Sequence, residues 1–135
     1  MAETVEFELV SPERLLISEQ VEMVVVPGWE GNFGVLRGHA PLISTVRPGV
    51  IEVFAAGSQV TERIFVAGGF AEVTSERCTV LADQAMPVAD IDSAAAAQQI
   101  EDATEDLADA TTPAERSAAE KALSIARAMH EAGSA

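Results

Sequence analysis

The sequence contains one cysteine, one lysine, one tryptophan, two histidines and no tyrosine in 135 residues. The single cysteine, Cys78, excludes an intrachain disulfide, and its place in a strand-like pattern predicts a buried structural residue. The only lysine, Lys121, lies in a helical pattern, so the sequence lacks a phosphate-binding P-loop. Metal sites and histidine-based catalysis need clustered ligands or a base beside a nucleophile, but His39 and His130 lie in different parts of the sequence. We therefore expect no catalytic, metal or cofactor site.

Positive charge is also scarce, since eight basic residues face 22 acidic ones and the net charge is −14. This balance argues against binding to nucleic acid or to an anionic bilayer, because both affinities come largely from Lys and Arg. No apolar run approaches the roughly 20 residues that span a membrane, and the N-terminus lacks the features of a signal peptide. We expect a cytoplasmic protein without direct membrane insertion, linked to any membrane through another protein.

Composition divides the sequence near Pro87. Residues 1–87 are rich in Val, Ile, Phe and Gly, whereas residues 88–135 are dominated by Ala, Glu and Asp and contain a single glycine. The first part has short alternating runs separated by turn signals such as Gly68-Gly69, which predict an antiparallel β-sandwich. The predicted strands cover residues 5–9, 21–26, 50–55, 60–66, 71–74 and 79–82, with a further turn at Ala56-Gly57-Ser58.

The second part is predicted to be an antiparallel two-helix hairpin. Helical periodicity covers about residues 92–110, and Thr112-Pro113-Ala114-Glu115 is a capping box that begins a second helix. We expect Gly133 to end that helix. The predicted apolar stripes are Ala96, Ile100, Ala103, Leu107 and Ala110 on the first helix, and Ala118, Ala122, Ile125 and Met129 on the second.

The stretch from Pro27 to Gly49 is predicted to be a shaped loop, because it combines five glycines with two internal prolines and several large apolar residues. Trp29 either folds back over the sandwich or serves as an exposed anchor for a partner. His39 either bonds to loop backbone, which we favour, or reaches a partner.

Four motifs follow one another along the sequence: Gly31-Asn-Phe-Gly-Val-Leu-Arg-Gly-His-Ala-Pro-Leu42, Val46-Arg-Pro-Gly49, Val66-Ala-Gly-Gly-Phe-Ala-Glu-Val73 and Thr79-Val-Leu-Ala-Asp83. With these motifs the sequence resembles the epsilon subunit of bacterial rotary ATP synthases, which is equivalent to the mitochondrial delta subunit. The resemblance spans the whole sequence. It implies a β-sandwich followed by two helices, the division that composition also indicates.

The resemblance implies a non-catalytic rotor subunit of the central stalk, bound to gamma and to the c-ring and peripheral to the cytoplasmic face of the bacterial inner membrane. It implies a c-ring interface formed by Gly28, Trp29, Glu30, Gly31, Asn32, Phe33 and Gly34. It implies a gamma interface formed by Arg37, His39, Ala40, Pro41 and Leu42. The alpha and beta catalytic subunits are further candidate partners through the C-terminal helices.

Two positions depart from the family pattern. Asn32 stands where many relatives carry an acid, and Ala95 stands where nucleotide-binding members have arginine in Ile/Leu-Asp-x-x-Arg-Ala. An alternative function is an ATP-responsive regulator whose helices inhibit ATP hydrolysis, which in inhibitory members depends on a basic second helix. Ala95 argues against ATP sensing. A third alternative, an enzyme with a pocket in the sandwich, lacks a nucleophile paired with a base.

Overall fold

A computed structural model of the protein describes residues 3–55 and 59–134. The strands are β1 (Val5–Val10), β2 (Leu15–Val21), β3 (Met23–Gly28), β4 (Gly31–Val35), β5 (Leu42–Val46), β6 (Gly49–Phe54), β7 (Val60–Val66), β8 (Gly69–Val73), β9 (Arg77–Ala82) and β10 (Ala85–Pro87). A short 3₁₀ turn, Val88–Asp90, precedes helices α1 (Ser93–Asp109) and α2 (Pro113–Ser134). The turn predicted at residues 56–58 lies outside the described residues.

The strands form one ladder in the order β10-β7-β6-β3-β5-β8-β9-β1-β2, with β4 paired to β3. Apolar residues alternate with polar ones, as in β1, where Val5, Phe7 and Leu9 are buried and Glu6 and Glu8 lie on the other face. The inward residues of both halves of the ladder share one apolar core. The predicted fold class, a β-sandwich followed by a helical hairpin, is confirmed.

Three details of the sandwich differ from the prediction. The β1–β9 pair is parallel, so the sheet is not purely antiparallel. The stretch from Pro27 to Gly49 is not a loop throughout, because it contains β4 and β5. Strand β2 was also missed, since its sequence, Leu-Leu-Ile-Ser-Glu-Gln-Val, lacks strict alternation and the strand lies at one end of the ladder.

The protein divides into two compact units, Met1–Pro87 and Val88–Ala135. In the second unit the predicted helix starts are confirmed. The Asp92 carboxylate caps α1 by accepting the backbone N–H groups of Ala94 and Ala95 at 3.0 and 3.2 Å. Thr112 Oγ1 caps α2 by accepting the N–H of Glu115 at 3.1 Å. The Glu115 carboxylate accepts the Thr112 hydroxyl rather than the Thr112 backbone N–H that a capping box would use.

Two details of α2 correct the sequence prediction. Ala118 and Ala122 are exposed, and the buried stripe is Ala119, Leu123, Ala126, Met129 and Ala132. Gly133 does not end the helix, which continues through Ser134. A Cβ at position 133 would lie 2.7 Å from Cγ2 of Ile91, so close packing explains the glycine.

Candidate interaction site

The turn between β3 and β4 consists of two residues, Trp29 and Glu30, between the paired glycines Gly28 and Gly31. Gly31 has φ of 140°, a conformation that favours glycine. Gly28 is buried, and a Cβ on it would lie 2.8 Å from the Gly31 carbonyl oxygen and 2.9 Å from the Phe33 ring. The hairpin tip is therefore closely packed at Gly28, and at Gly31 the turn depends on a positive φ.

Trp29 and Phe33 occupy different environments. Trp29 is 71% exposed at the hairpin tip. It therefore does not fold back over the sandwich, and the exposed arrangement is the one that the structure shows. The Phe33 ring is half-buried and packs against the apolar core. The Trp29 backbone N–H donates to the Thr45 carbonyl oxygen at 2.9 Å, so the residue is exposed while its backbone is bonded to β5.

Arg47, which follows β5, binds this hairpin from the side. Its Nη1 donates to the Gly28 carbonyl oxygen at 2.5 Å, and its Nη2 donates to Asn32 Oδ1 at 2.6 Å. Its backbone N–H donates to the Pro27 carbonyl oxygen at 2.9 Å. Sequence reasoning singled out the Val46-Arg-Pro-Gly49 motif without giving Arg47 a role. The sequence pattern offers no signal for it, because the contact joins positions 15 and 19 residues apart.

The segment from Arg37 to Leu42 connects β4 to β5 and is bonded to neighbouring turns. The Gly38 backbone N–H donates to the Ser75 carbonyl oxygen at 2.7 Å. His39 Nδ1 lies 2.7 Å from the Ala40 carbonyl oxygen and therefore donates to it, which is the backbone-bonded arrangement favoured from the sequence. Arg37, Ala40 and Pro41 are exposed. This segment thus presents side chains from a fixed backbone.

An apolar band crosses the outer face of the sheet beside this segment. Ile43 on β5, Phe70 on β8 and Leu81 on β9 are 75%, 56% and 51% exposed. Phe70 lies directly opposite Leu81 and opposite Thr45, two residues from Ile43 on β5. Sequence reasoning missed this band. In the sequence, the band corresponds to one large apolar residue on each of the three strands, at a position that faces away from the core.

Two cavities do not suit an anionic ligand. A cavity of about 400 Å³ on the sandwich is lined by Glu6, Glu72, Thr74, Glu76, Arg77 and Thr79. Arg77 there is paired with Glu6 at 2.9 Å and with Glu8 at 3.4 Å, which raises its pKa. A cleft of about 490 Å³ along the helices contains Arg127 together with Glu120 and Glu131. In both cavities, acidic residues outnumber the single arginine.

Cys78 is fully buried, and this burial raises the pKa of its thiol to about 12. The burial predicted for Cys78 is confirmed. Over residues 3–55 and 59–134, no group of three or more His, Cys, Asp or Glu side chains has a metal-binding arrangement. Nor is any helix in this part of the protein long and apolar enough to cross a membrane.

Comparison with protein families accounts for both units. The beta-sandwich domain of the ATP synthase delta/epsilon chain family matches residues 4–88, and the C-terminal domain of the ATP synthase epsilon chain family matches residues 92–135. The fold and sequence therefore define a two-part protein of the delta/epsilon class. Curated epsilon chains from Rhodospirillum rubrum and Paramagnetospirillum magneticum are 58% and 50% identical, each over 129 residues and 96% of both proteins. The chain belongs to the ATP synthase epsilon chain family.

Two solved structures superpose on this protein. A chain of the Euglena gracilis mitochondrial ATP synthase superposes with a TM-score of 0.82 at 27% identity, covering 96% of this chain and 81% of that one. A chain from the Tetrahymena thermophila mitochondrial ATP synthase superposes with a TM-score of 0.72 at 17% identity, covering 96% of both proteins. The second likeness supports the fold alone.

Proposed function

We propose that the protein is a non-catalytic rotor subunit of the central stalk of a proton-translocating ATP synthase, which couples c-ring rotation through gamma to ATP synthesis. The observation that carries the proposal is the Trp29 side chain, largely exposed on a hairpin tip whose backbone is bonded to β5. A rotor contact must transmit torque without slipping, and a large aromatic group on a fixed backbone suits that task. The matched Euglena structure contains F1 and c-ring parts.

The proposed c-ring contact is the segment from Gly28 to Gly34, with Trp29 and Glu30 at its tip. The proposed gamma contact is the segment from Arg37 to Leu42, continued by the apolar band of Ile43, Phe70 and Leu81. Exposed apolar patches of this kind are typical of protein interfaces. A bound partner would cover them and remove the free-energy cost of exposing them to water. The subunit would be peripheral on the cytoplasmic face of the bacterial inner membrane and bound there through protein, since its net charge is −14.

The test is a Trp29→Ala substitution in the assembled ATP synthase, with Leu15→Ala as the matched control. Leu15 is another exposed large apolar residue of the sandwich, 53% exposed, on β2 at the far end of the ladder. Removal of a tryptophan that is a hot spot of an interface costs about 2 kcal/mol or more, and 2 kcal/mol corresponds to a roughly thirtyfold weaker association. We expect Trp29→Ala to reduce ATP-driven proton pumping relative to ATP hydrolysis. Equal coupling in both variants would contradict the proposal.

The alternative function is an ATP-responsive regulator. The observation in its favour is the cleft along the helices, because it contains a basic residue, Arg127. Its charge argues against phosphate binding, because Glu120 and Glu131 also line it. The N-terminus of α1 is already occupied by the Asp92 carboxylate, which accepts the N–H groups that an anion would use. We expect weak or absent ATP binding by calorimetry. Micromolar or tighter binding by the isolated protein would restore the regulatory alternative.

A further inference from the structure

Three parts of the protein meet at the Arg47 guanidinium: the end of β3, the beginning of β4 and the connection that follows β5. The Gly28 carbonyl oxygen and Asn32 Oδ1 accept hydrogen bonds from its two terminal nitrogens at 2.5 and 2.6 Å. Arginine carries only donors, so the Asn32 amide oxygen must face it. The two accepting residues lie on either side of the Trp29-Glu30 turn. The guanidinium therefore joins the two strands of the hairpin at its tip.

We propose that Arg47 is the positioning residue of this hairpin and fixes the location of Trp29. The inference rests on the proposed function, in which Trp29 meets the c-ring. The end of β3 is held by two backbone bonds as well, Trp29 N–H to Thr45 and Arg47 N–H to Pro27. The β4 strand is joined to this connection by the Arg47 side chain. Its planar fork has two separately directed donors, an arrangement that the single ammonium of lysine does not reproduce.

The same contact assigns a role to Asn32. Its amide oxygen is used within the protein, so the residue acts by ordering the tip. An aspartate at position 32 would accept the same Arg47 donor with a full negative charge, which makes a stronger bond. Asn32→Asp is therefore expected to hold the tip more firmly than the natural residue does, and Asn32→Ala to hold it less firmly.

The isolated subunit offers a direct probe, because Trp29 is its only tryptophan. Time-resolved fluorescence anisotropy of Trp29 and hydrogen exchange of its backbone N–H both report motion of the tip. For Arg47→Gln we expect a larger fast component of the anisotropy decay. We also expect about tenfold faster exchange, since bonds to a charged donor shift a local opening equilibrium by roughly that factor. Arg47→Lys should lie between Arg47→Gln and the natural protein.

The matched control is Arg63→Gln, which removes an equal charge from β7 and breaks an ion pair with Glu52 of 3.1 Å. It should leave Trp29 motion unchanged. If circular dichroism shows that Arg47→Gln does not fold, two substitutions of the exposed residue Asn32 replace it in the test. We expect Asn32→Ala to increase Trp29 motion and Asn32→Asp to decrease it. Trp29 motion that is the same in Arg47→Gln and Arg63→Gln, or in both Asn32 variants, would overturn the inference.

A second measurement separates this inference from the proposed function. In the assembled ATP synthase, Arg47→Gln should lower proton pumping relative to hydrolysis, and Asn32→Asp should preserve it. If Arg47→Gln increases Trp29 motion in the isolated subunit while Trp29→Ala leaves coupling intact, the positioning role stands and the proposed ring contact is wrong. If Trp29→Ala uncouples the enzyme while Arg47→Gln leaves Trp29 motion unchanged, the positioning role is wrong and the ring contact stands.

Discussion

Glu19 on β2 and Glu62 on β7 form a carboxyl pair, and such a pair can share a hydrogen bond only when one member is protonated. Desolvation raises the pKa of Glu19 above its usual 4.5, and the bond and negative charge of Glu62 raise it further. Glu19 Oε1 is buried and has no hydrogen-bond partner among the described residues. The ionised form of Glu19 is therefore disfavoured in the folded protein.

We predict that Glu19→Gln stabilises the protein increasingly as the pH rises. A carboxyl group with a raised folded-state pKa binds its proton more tightly when folded, so its stabilising contribution is present at low pH. That contribution is lost as the pH rises through the folded-state pKa. Glutamine keeps a donor towards Glu62 at every pH. Thermal unfolding between about pH 4 and pH 7 should show a growing difference in Tm between variant and natural protein.

The control is Glu13→Gln, which removes the same charge from an exposed position between β1 and β2. This control measures how much the loss of one negative charge stabilises a protein of net charge −14 by reducing its overall charge repulsion. If the two variants shift Tm equally at every pH, the Glu19–Glu62 pair has no special contribution.

Single residues differed in how far the sequence could place them. The burial of Cys78 followed from its strand pattern, and the backbone bond of His39 from its glycine and proline neighbours. The sequence pattern did not decide whether Trp29 is exposed or folded back over the sandwich, because exposure at a two-residue turn depends on the path of the flanking strands. Arg47 could not be placed at all, since its acceptors are a carbonyl oxygen and an amide oxygen brought near by strand pairing.

At the scale of elements, long periodic segments were predicted correctly and irregular ones were not. Strands β4 and β5 were missed because Gly31, Gly34 and Pro41 interrupt the alternation that identifies strands, and long-range pairing overrides weak local preference. The phase of α2 was wrong because alanine lies on all of its faces. The helical pattern there has little apolar contrast, so the positions of Leu123 and Met129 decide which face is buried.

The capping interaction of α2 gives a prediction at this scale. Thr112→Ala should lower the stability of the helical unit by about 1 kcal/mol, because the Glu115 N–H loses the acceptor at 3.1 Å. Thr111→Ala is the matched control. Its hydroxyl donates to the same Glu115 carboxylate at 3.0 Å but accepts no backbone N–H of α2 among the hydrogen bonds that the described residues show. Helical circular dichroism on heating should show the earlier transition only for Thr112→Ala, and equal transitions would count against the cap.

At the scale of the whole molecule, the two units carry equal charge but very different amounts of apolar core. Each has a net charge of −7, from twelve acids and five arginines in residues 1–87 and from ten acids and three bases in residues 88–135. The first unit contains the large valine-rich and phenylalanine-containing core, whereas the buried residues of the helices are mostly alanine. Alanine buries little area, so the hairpin gains less from packing.

We predict that residues 1–87 fold alone and retain binding to gamma. Their core needs no residue from the helical unit. The fragment should unfold cooperatively on heating and co-purify gamma, while the complementary fragment, residues 88–135, should be marginally stable as an isolated helical hairpin. A fragment 1–87 that is unfolded, or that is folded but fails to retain gamma, would show that the domain division is wrong or that gamma binding needs the helices.

The last prediction concerns the same truncation in the assembled enzyme, where removal of residues 88–135 should not increase ATP hydrolysis several-fold. A brake of the kind implied by the family resemblance needs a basic second helix to meet acidic segments of the catalytic subunits. On α2, Arg116, Lys121 and Arg127 are balanced by three glutamates, and the first helix adds five acids and no base. A double variant, Glu120→Lys with Glu131→Lys, gives α2 a net positive charge and should introduce inhibition that the natural protein lacks. A several-fold rise in hydrolysis on truncation of the natural subunit would show that the hairpin is a strong brake and that its attraction does not depend on net charge.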